Sequence, residues 1–523
     1  VRRTRLSGSI SVALVYPNTS EVGTASLGYR KVFALLESHD LISCEKVFSG
    51  KGRAGAPPRT LENRRTLGEF DCVAFSIAFE NDFPHLVGAL FSSGINPLRE
   101  KRSPDSPLII AGGPLVLINP EPLAPIVDIL FIGEGEKLLP LFLDTIEASG
   151  GGEGWKRSVL EALSGKDGFY VPVDGEEPSQ TMVTRVVASE SDLDCVEEAA
   201  NRFSYPDSHF RDVHLLEVGR GCPRRCRFCA AKTVYAPSRF RSLDSVEKEL
   251  GCVRPGLRGV GFLGASLSDY PSLPGVVTRA GQSGFTVQTS SLRMDRLGTE
   301  LLRSLRDHGV RTITTAPEAG TDRLRSVLGK DLDETGILEA AKRIGELNFP
   351  HLKLYFMLGI PCETWDDLTG MADLILRIAG TVRKTGSRTR ITACLSPLVP
   401  KPWTAFQWAP FEHPSVLRKK IHLVRSLVRG KVSFKLESVN SSAHQALLAR
   451  GDRKVGRAVA LSAVEGKPLS QALAAAGISK DRYLYRERQK DELFPWDFID
   501  HGKDITKEKL WEEWENARRE ASG

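Results

Sequence analysis

Leu215-Leu-Glu-Val-Gly-Arg-Gly-Cys222-Pro-Arg-Arg-Cys226-Arg-Phe-Cys229-Ala230 decides how this chain is read. It opens on a short apolar run of strand length, passes through two glycines, and then sets three thiols within eight residues, spaced C-x₃-C-x₂-C. Thiolates are soft ligands that favour zinc or iron–sulfur sites. The flanking Arg220, Arg224, Arg225 and Arg227 supply positive charge, which lowers thiol pKa and favours the ligating form. Three ligands on one tight loop leave a position open. Structural zinc closes that position with a fourth Cys or His, but the nearest candidates, His214 and Cys252, lack the short spacing of a zinc finger. An ordinary iron–sulfur electron carrier also has four thiolates. An open fourth iron is a different device, able to take another ligand.

Outward from this loop, strand-like runs precede helical patterns at 215–218, 259–263, 285–289, 312–316, 353–357 and 390–395. Six βα units are fewer than the eight of a closed barrel. They predict an open six-unit partial TIM barrel over 208–409, with its chemistry at the strand ends. From residue 410 the pattern is helical and charge-laced, with segments at 416–428 and 443–465, and 410–523 is expected to be a helical C-terminal region. The charge run 481–492 reads as a solvated helix face.

Upstream, the runs at 11–16, 72–78, 108–111 and 126–132 read as buried strands, with helices at 28–38 and 137–149. This alternation predicts an α/β domain over 1–150 built on a parallel sheet, which binds ligands beyond the carboxyl ends of its strands. The loops there are 17–23, Gly112-Gly113-Pro114 and Gly133-Glu134-Gly135-Glu136. None is a G-x-G-x-x-G fingerprint or a P-loop. The Gly- and acid-rich stretch 151–207 is expected to be a linker region.

Composition narrows the class. The chain has 523 residues, 41% hydrophobic and 26% charged, which excludes a disordered chain and a membrane bundle. No apolar run of about 18 residues is present, so no transmembrane helix and no membrane partner are expected. Lys+Arg 71 less Asp+Glu 65 leaves +6, a mild balance that permits an anionic substrate or RNA without arguing for either. Outside the triplet, Cys44, Cys72, Cys195, Cys252, Cys362 and Cys394 are scattered singly. That is no disulfide framework, and it suits a reducing cytoplasm. The basic start Val1-Arg2-Arg3 before the apolar run reads as the approach to a first strand rather than a signal peptide.

With Phe228 just before the third cysteine, the triplet resembles the radical S-adenosylmethionine superfamily. The resemblance implies that Cys222, Cys226 and Cys229 hold a [4Fe–4S] cluster whose fourth iron is chelated by S-adenosylmethionine. Reductive cleavage then yields a radical that abstracts hydrogen from substrate. Further segments resemble the same family. Phe262-Leu-Gly264-Ala-Ser266 is similar to the turn near the methionyl amino group, which implicates Gly264 and Ser266. Ser290 and Arg293, in Gln288-Thr-Ser-Ser-Leu-Arg293, are implied in ribose or carboxylate binding, with a capped helix start as the alternative. Glu318, in Ala316-Pro-Glu-Ala-Gly320, is implied at ribose hydroxyls or the ammonium. Met357, in Tyr355-Phe-Met-Leu-Gly-Ile-Pro361, followed by Glu363 and Thr364, is implied at adenine.

The N-terminal loops resemble the Rossmann-like cobalamin-binding domain of cobalamin-dependent radical enzymes. They run from Gly112-Gly113-Pro114 to Asn119-Pro-Glu121-Pro122 and on to Gly133-Glu-Gly135-Glu136. This resemblance implies that Gly112, Gly113, Gly133 and Gly135 approach cobalamin. One departure stands out: no Asp-x-His-x-x-Gly occurs, and His39 and His85 do not fit it. Cobalamin is then held without a histidine ligand, or not held at all. The Pro- and Trp-rich stretch 396–408 and Arg450-Gly451-Asp452-Arg453 resemble segments of the same branch. The first either walls the substrate side or joins two domains, and the second is either functional or a salt-bridged surface turn.

The leading expectation is a cytoplasmic radical S-adenosylmethionine enzyme that transfers a methyl group to an unactivated carbon through cobalamin. Its substrate would be a small molecule or peptide, and its reductant a flavodoxin or ferredoxin. Three alternatives stay open. One is a cobalamin-independent radical rearrangement or oxidation. Another is an RNA methylthiotransferase, which needs three more cysteines near the N-terminus where only Cys44 and Cys72 precede Cys195. The last is a non-catalytic iron–sulfur or zinc module. No residue is assigned to the substrate step itself.

Overall fold

A computed structural model describes residues 10–50, 56–150, 154–175, 181–194 and 210–522. Cys195 and part of the stretch 151–207 lie outside the described residues. The first sheet comprises β1 (Ile10–Tyr16), β2 (Ile42–Phe48), β3 (Cys72–Ser76), β4 (Leu108–Gly112), β5 (Ile129–Phe131) and β6 (Phe169–Tyr170). Their order is β2-β1-β3-β4-β5-β6, parallel throughout except for β6. All seven residues of β1 are buried, as a strand covered on both faces requires. One face carries α1 (Ser20–Ala25) and α2 (Leu27–Ser38), and α3 (Phe83–Ser92) lies on the other. The helix α4 (Gly135–Ala148) joins α2 on the first face.

Strand β2 was not among the expected strands, because Glu45 and Lys46 interrupt its apolar run. Both are buried with partners: Lys46 pairs with Glu62 at 2.5 Å, and Glu45 accepts from Asn63 at 2.9 Å. The sheet also continues past residue 150, since β6 closes its edge.

The second part begins with β7 (Val183–Thr184), β8 (Val213–Glu217), β9 (Gly219–Arg220) and β10 (Arg239–Phe240). Its main strands continue as β11 (Gly259–Leu263), β12 (Thr286–Thr289), β13 (Thr312–Glu318), β14 (His351–Leu358), β15 (Arg390–Pro397) and β16 (Ser433–Leu436). They form two parallel sheets in chain order, β8-β11-β12 and β13-β14-β15-β16, with helices packed outside: a partial barrel. All six expected strands form. β16 adds a seventh inside the region expected to be helical; its Ser-Phe-Lys-Leu sequence is too short and too polar to announce a strand.

Apart from β17, the rest of the regular structure described in the C-terminal region is helical. The segment 443–465 is two helices, Val439–Ala449 and Arg453–Glu465, broken where Asp452 caps the second. The charge run 481–492 is not a solvated helix. The helix Lys480–Leu484 stops early, and Arg488 is buried over the Phe494 and Trp496 rings. β17 (Ile499–Asp500) pairs with β7, and the helix Lys507–Ser522 returns to the barrel. Among the described residues, no helix is long and apolar enough to cross a membrane.

Candidate active site at the barrel mouth

The three thiols lie on the loop that leaves β8 and β9, at one end of the barrel, and all are free and partly exposed. Gly221, just before Cys222, has φ +90°, and a Cβ there would stand 2.6 Å from the Tyr235 carbonyl oxygen. Only glycine fits that turn. The expected fourth ligands do not join the loop: His214 is buried with its Nε2 2.8 Å from Glu249, and Cys252 is exposed after the helix Leu243–Gly251. Among the described residues, no group of three or more His, Cys, Asp or Glu converges on a single-ion position. A cubane does not require such convergence, because its thiolates are spread over separate corners.

The flanking arginines also brace the loop. Arg224 forks onto Asp269, with Nε at 3.1 Å, beside the turn after β11. Arg227 pairs with Glu513 at 2.9 Å and Glu520 at 2.8 Å on the C-terminal helix. Arg220 reaches Glu134 at 3.1 Å, Glu136 at 2.7 Å and Glu217 at 2.9 Å. The loop is thus guyed to other parts of the molecule by the charge-assisted contacts of three arginines. Burial raises the Cys226 thiol, and the charges that pull it back are Lys330 and Arg293. Burial pushes Cys229 up to about 11, opposed by the Ala231 N–H.

Of the other expected residues, Arg293 and Glu318 come together with Cys226. A register shift in β13 gives Glu318 a φ of +68°, and Lys330 Nζ donates to its Oε1 at 3.0 Å. Arg293 donates to Asp295 at 2.9 Å and to the Asp331 carbonyl at 3.1 Å. Ser290 Oγ lies 3.4 Å from the Gly264 carbonyl, so the turns after β11 and β12 adjoin. Ser266 is committed to Asp269. Phe228 packs against the hydrophobic core, and Met357 is buried near the end of β14. Glu363 and Thr364 are structural: Glu363 accepts from the Gly359 N–H and from Lys420, and Thr364 caps the helix Trp365–Lys384. Lys330 was not expected; no local pattern ties it to Glu318.

A cavity of about 460 Å³ lies beyond the carboxyl ends of β1, β3, β4 and β5. Gly112, Gly113, Gly133 and Gly135 line it from one side, and Gly219, Arg220, Tyr235 and Gly264 from the cluster-loop side. The four glycines divide. A Cβ on Gly113, at φ +117°, would meet the Ile77 carbonyl oxygen at 2.4 Å, and one on Gly133 would meet that of Val186 at 2.5 Å. Those two are glycine because of the protein's own backbone. A Cβ on Gly112 meets nothing nearer than Phe131 at 3.4 Å, and one on Gly135 nothing nearer than Leu139 at 3.6 Å. Those two leave room toward the cavity. Among the described residues no histidine lines it; His39 ends α2 and His85 lies in α3.

The remaining motifs interlock. Asn119 donates to the Ala449 and Gly451 carbonyls at 3.0 and 2.8 Å, and Arg453 Nε donates to Glu121 at 2.8 Å. Arg450 and Arg453 are buried, so this is not a surface turn. The stretch 396–408 is likewise packed inside. The Trp403 carbonyl accepts from Thr233 at 2.7 Å, and Gln407 accepts from Trp496 at 3.0 Å, so the stretch joins the cluster side to the C-terminal region.

Comparison with known proteins matches both halves of the chain. Residues 28–172 match the family described as radical SAM proteins, N-terminal, and residues 216–375 match the radical SAM superfamily. The uncharacterized protein MJ0966 of Methanocaldococcus jannaschii is 30% identical over 450 residues, covering 86% of this chain and 90% of that protein. Similar solved structures include the radical S-adenosylmethionine methyltransferase TsrM of Kitasatospora setae with cobalamin and a [4Fe-4S] cluster bound. That match has 14% identity and a TM-score of 0.48, over 74% of this chain and 72% of that one. Another is the cobalamin-dependent S-adenosylmethionine radical enzyme OxsB with aqua-cobalamin bound, at 16% identity and a TM-score of 0.47, over 70% of this chain and 52% of that one. With a loop of three free thiols at the mouth of a partial barrel, and with family matches in both halves and a relative 30% identical over most of its length, the chain belongs to the radical S-adenosylmethionine superfamily.

Proposed function

We propose that this radical S-adenosylmethionine enzyme transfers a methyl group to an unactivated carbon, with cobalamin as the carrier. The observation that carries the reading is the shared cavity: one wall is the carboxyl edge of the N-terminal sheet, and the other is made by Glu217, Gly219, Arg220, Val234 and Tyr235, which flank the loop of three cysteines. When bound, the cluster supplies the electron that splits S-adenosylmethionine, and cobalamin supplies the methyl group.

The donor set fits a cluster that keeps one iron for another ligand, since three thiols share a loop that neither His214 nor Cys252 reaches. Cys222, Cys226 and Cys229 would hold it. Arg293, Glu318 and Lys330 would orient the amino-acid and ribose groups of S-adenosylmethionine beside Cys226. The cavity fits the tail of a large planar cofactor. Leu14, Leu27, Val32, Ile110 and Phe131 give it apolar walls, and Gly112 and Gly135 allow close backbone approach. Cobalamin held there would meet Gly112, Gly135 and these apolar walls, and among the described residues no histidine lines the cavity.

The test is reconstitution with cobalamin under anaerobic conditions, read by visible absorption, for wild type and Gly112→Val. The variant fills the cavity without meeting backbone, so it should fold, keep its iron and lose cobalamin. Gly113→Val is the wrong probe, because its side chain would collide with Ile77 and unsettle the sheet. A folded wild type that takes up no cobalamin, or a cobalt(II) spectrum with histidine nitrogen coupling, would overturn this reading. The first result would favour cobalamin-independent radical chemistry.

A further inference from the structure

Inside the barrel, on the strands β14 to β16, lies a group of cations that the chemistry above does not use. Leu352, Leu354, Phe356, Ala393 and Leu395 are fully buried. Side chains alternate along a strand, so Lys353, Tyr355 and Met357 share the opposite, inner face with Thr392, Cys394 and Ser396. The register sets them in rows: Lys353 beside Thr392, then Tyr355 beside Cys394 beside Lys435, then Met357 beside Ser396. Arg390 enters the same face beside His351, one row below Lys353.

Lys353, Arg390 and Lys435 are exposed, and among the described residues none of the three makes an ion pair within 4.0 Å. Lys353 and Lys435 both act on Cys394, which is also hydrogen-bonded to Tyr355, so the two ammonium groups flank one buried point. Burial and the charges of Arg390, Lys353 and Arg311 hold the His351 imidazole below its usual value, the mark of an electropositive surface. The one carboxylate acting on Cys394 and Tyr355 is Glu437, which follows β16 toward the cluster end.

We propose that this inner face binds an oxyanion of the substrate, a phosphate or a carboxylate, with Lys353 and Lys435 as its charge partners and Tyr355 and Thr392 as neutral donors. Two uncompensated ammonium groups on one face repel each other, and an anion between them removes that repulsion. Glu437 repels the same anion from the upper rows, so the substrate enters with its anionic end away from the cluster. Four residues of strand separate Lys353 from Met357, about 13 Å. The substrate then carries its charge and its reacting carbon at opposite ends. The inference rests on the enzymatic reading for why a substrate enters the barrel, but its test does not.

The experiment is calorimetric titration of the purified chain at low ionic strength with sodium pyrophosphate, with glutarate, and with glycerol as the neutral control. The Lys353→Gln/Lys435→Gln double variant should bind the preferred anion at least tenfold more weakly than wild type. Lys419→Gln, on the outer helix Pro414–Leu427, should match wild type. Tighter pyrophosphate binding assigns a phosphate, and tighter glutarate binding a carboxylate. Equal affinity in wild type and the double variant, or binding of neither anion, overturns the proposal. Neither anion needs a cluster or cobalamin, so this outcome is separate from failure of cobalamin to bind.

Discussion

Arg220 donates from Nη2 to Glu136 at 2.7 Å, joining the residue two positions before Cys222 to the first turn of α4. Lys31 on α2 completes the junction by pairing with Glu217 at 2.8 Å. The cluster loop and the N-terminal cavity are therefore held in one arrangement by ions from both parts. Burial opposes charge here, but Lys31 and Arg220 more than offset it and hold the Glu217 and Glu136 carboxyls below their usual range.

Removing Arg220 leaves those carboxylates buried beside a single cation. Arg220→Met should lose about 3–5 kcal/mol at neutral pH, the usual cost of breaking a buried pair. The sign with pH follows from the lowered values. The wild-type contribution is complete above the ordinary carboxyl value of 4.5 and fades as pH falls below it, because the unfolded chain then takes up protons first. Urea unfolding of both proteins between pH 7 and 3 checks this, and the gap between them should narrow on the acid side.

Each of Cys222→Ala, Cys226→Ala and Cys229→Ala should abolish iron loading and all cleavage of S-adenosylmethionine. Cys252→Ala and Cys362→Ala, both exposed and away from the loop, should keep wild-type iron content. Iron stoichiometry after anaerobic reconstitution decides it; wild-type iron in the Cys226 variant would remove the loop from the cluster.

Glu318→Gln should keep the cluster and weaken S-adenosylmethionine binding by about 1.5–3 kcal/mol, the worth of one hydrogen bond to a charged group. It also leaves Lys330 without its carboxylate partner beside Cys226. Calorimetry on the loaded protein measures the first effect, and unchanged affinity would place Glu318 outside the cofactor contact.

Arg453→Met should destabilise the protein by about 3–5 kcal/mol, because Glu121 is then buried without its charge. Replacing both, as Arg453→Met with Glu121→Gln, should recover part of that loss. Chemical unfolding of Arg453→Met, Glu121→Gln and the double variant forms the cycle. Iron content should not change in any of them, since this contact lies between α3-side loops and the C-terminal helices rather than at the thiols.

By itself the sequence determined the cluster loop and the parallel strands, because both are local signals. Three thiols within eight residues need no distant partner to be recognised, and six apolar runs ahead of helical patterns specify six strands. Strand β16 escaped because it is short and polar, and β2 because Glu45 and Lys46 break its run; a buried charge becomes affordable only once its partner is in place, as Lys46 is with Glu62. The glycines looked alike in sequence. Only the atoms facing them separate Gly113, pressed on the Ile77 carbonyl, from Gly112, open to the cavity. Arg450–Asp452 and Arg453 read as a hydrophilic turn until the fold brings Asn119 and Glu121 to them from more than 300 positions away. Long-range pairing of polar groups carries no periodicity and no fixed spacing, so it was the tertiary structure that decided which charges are buried and what they hold together.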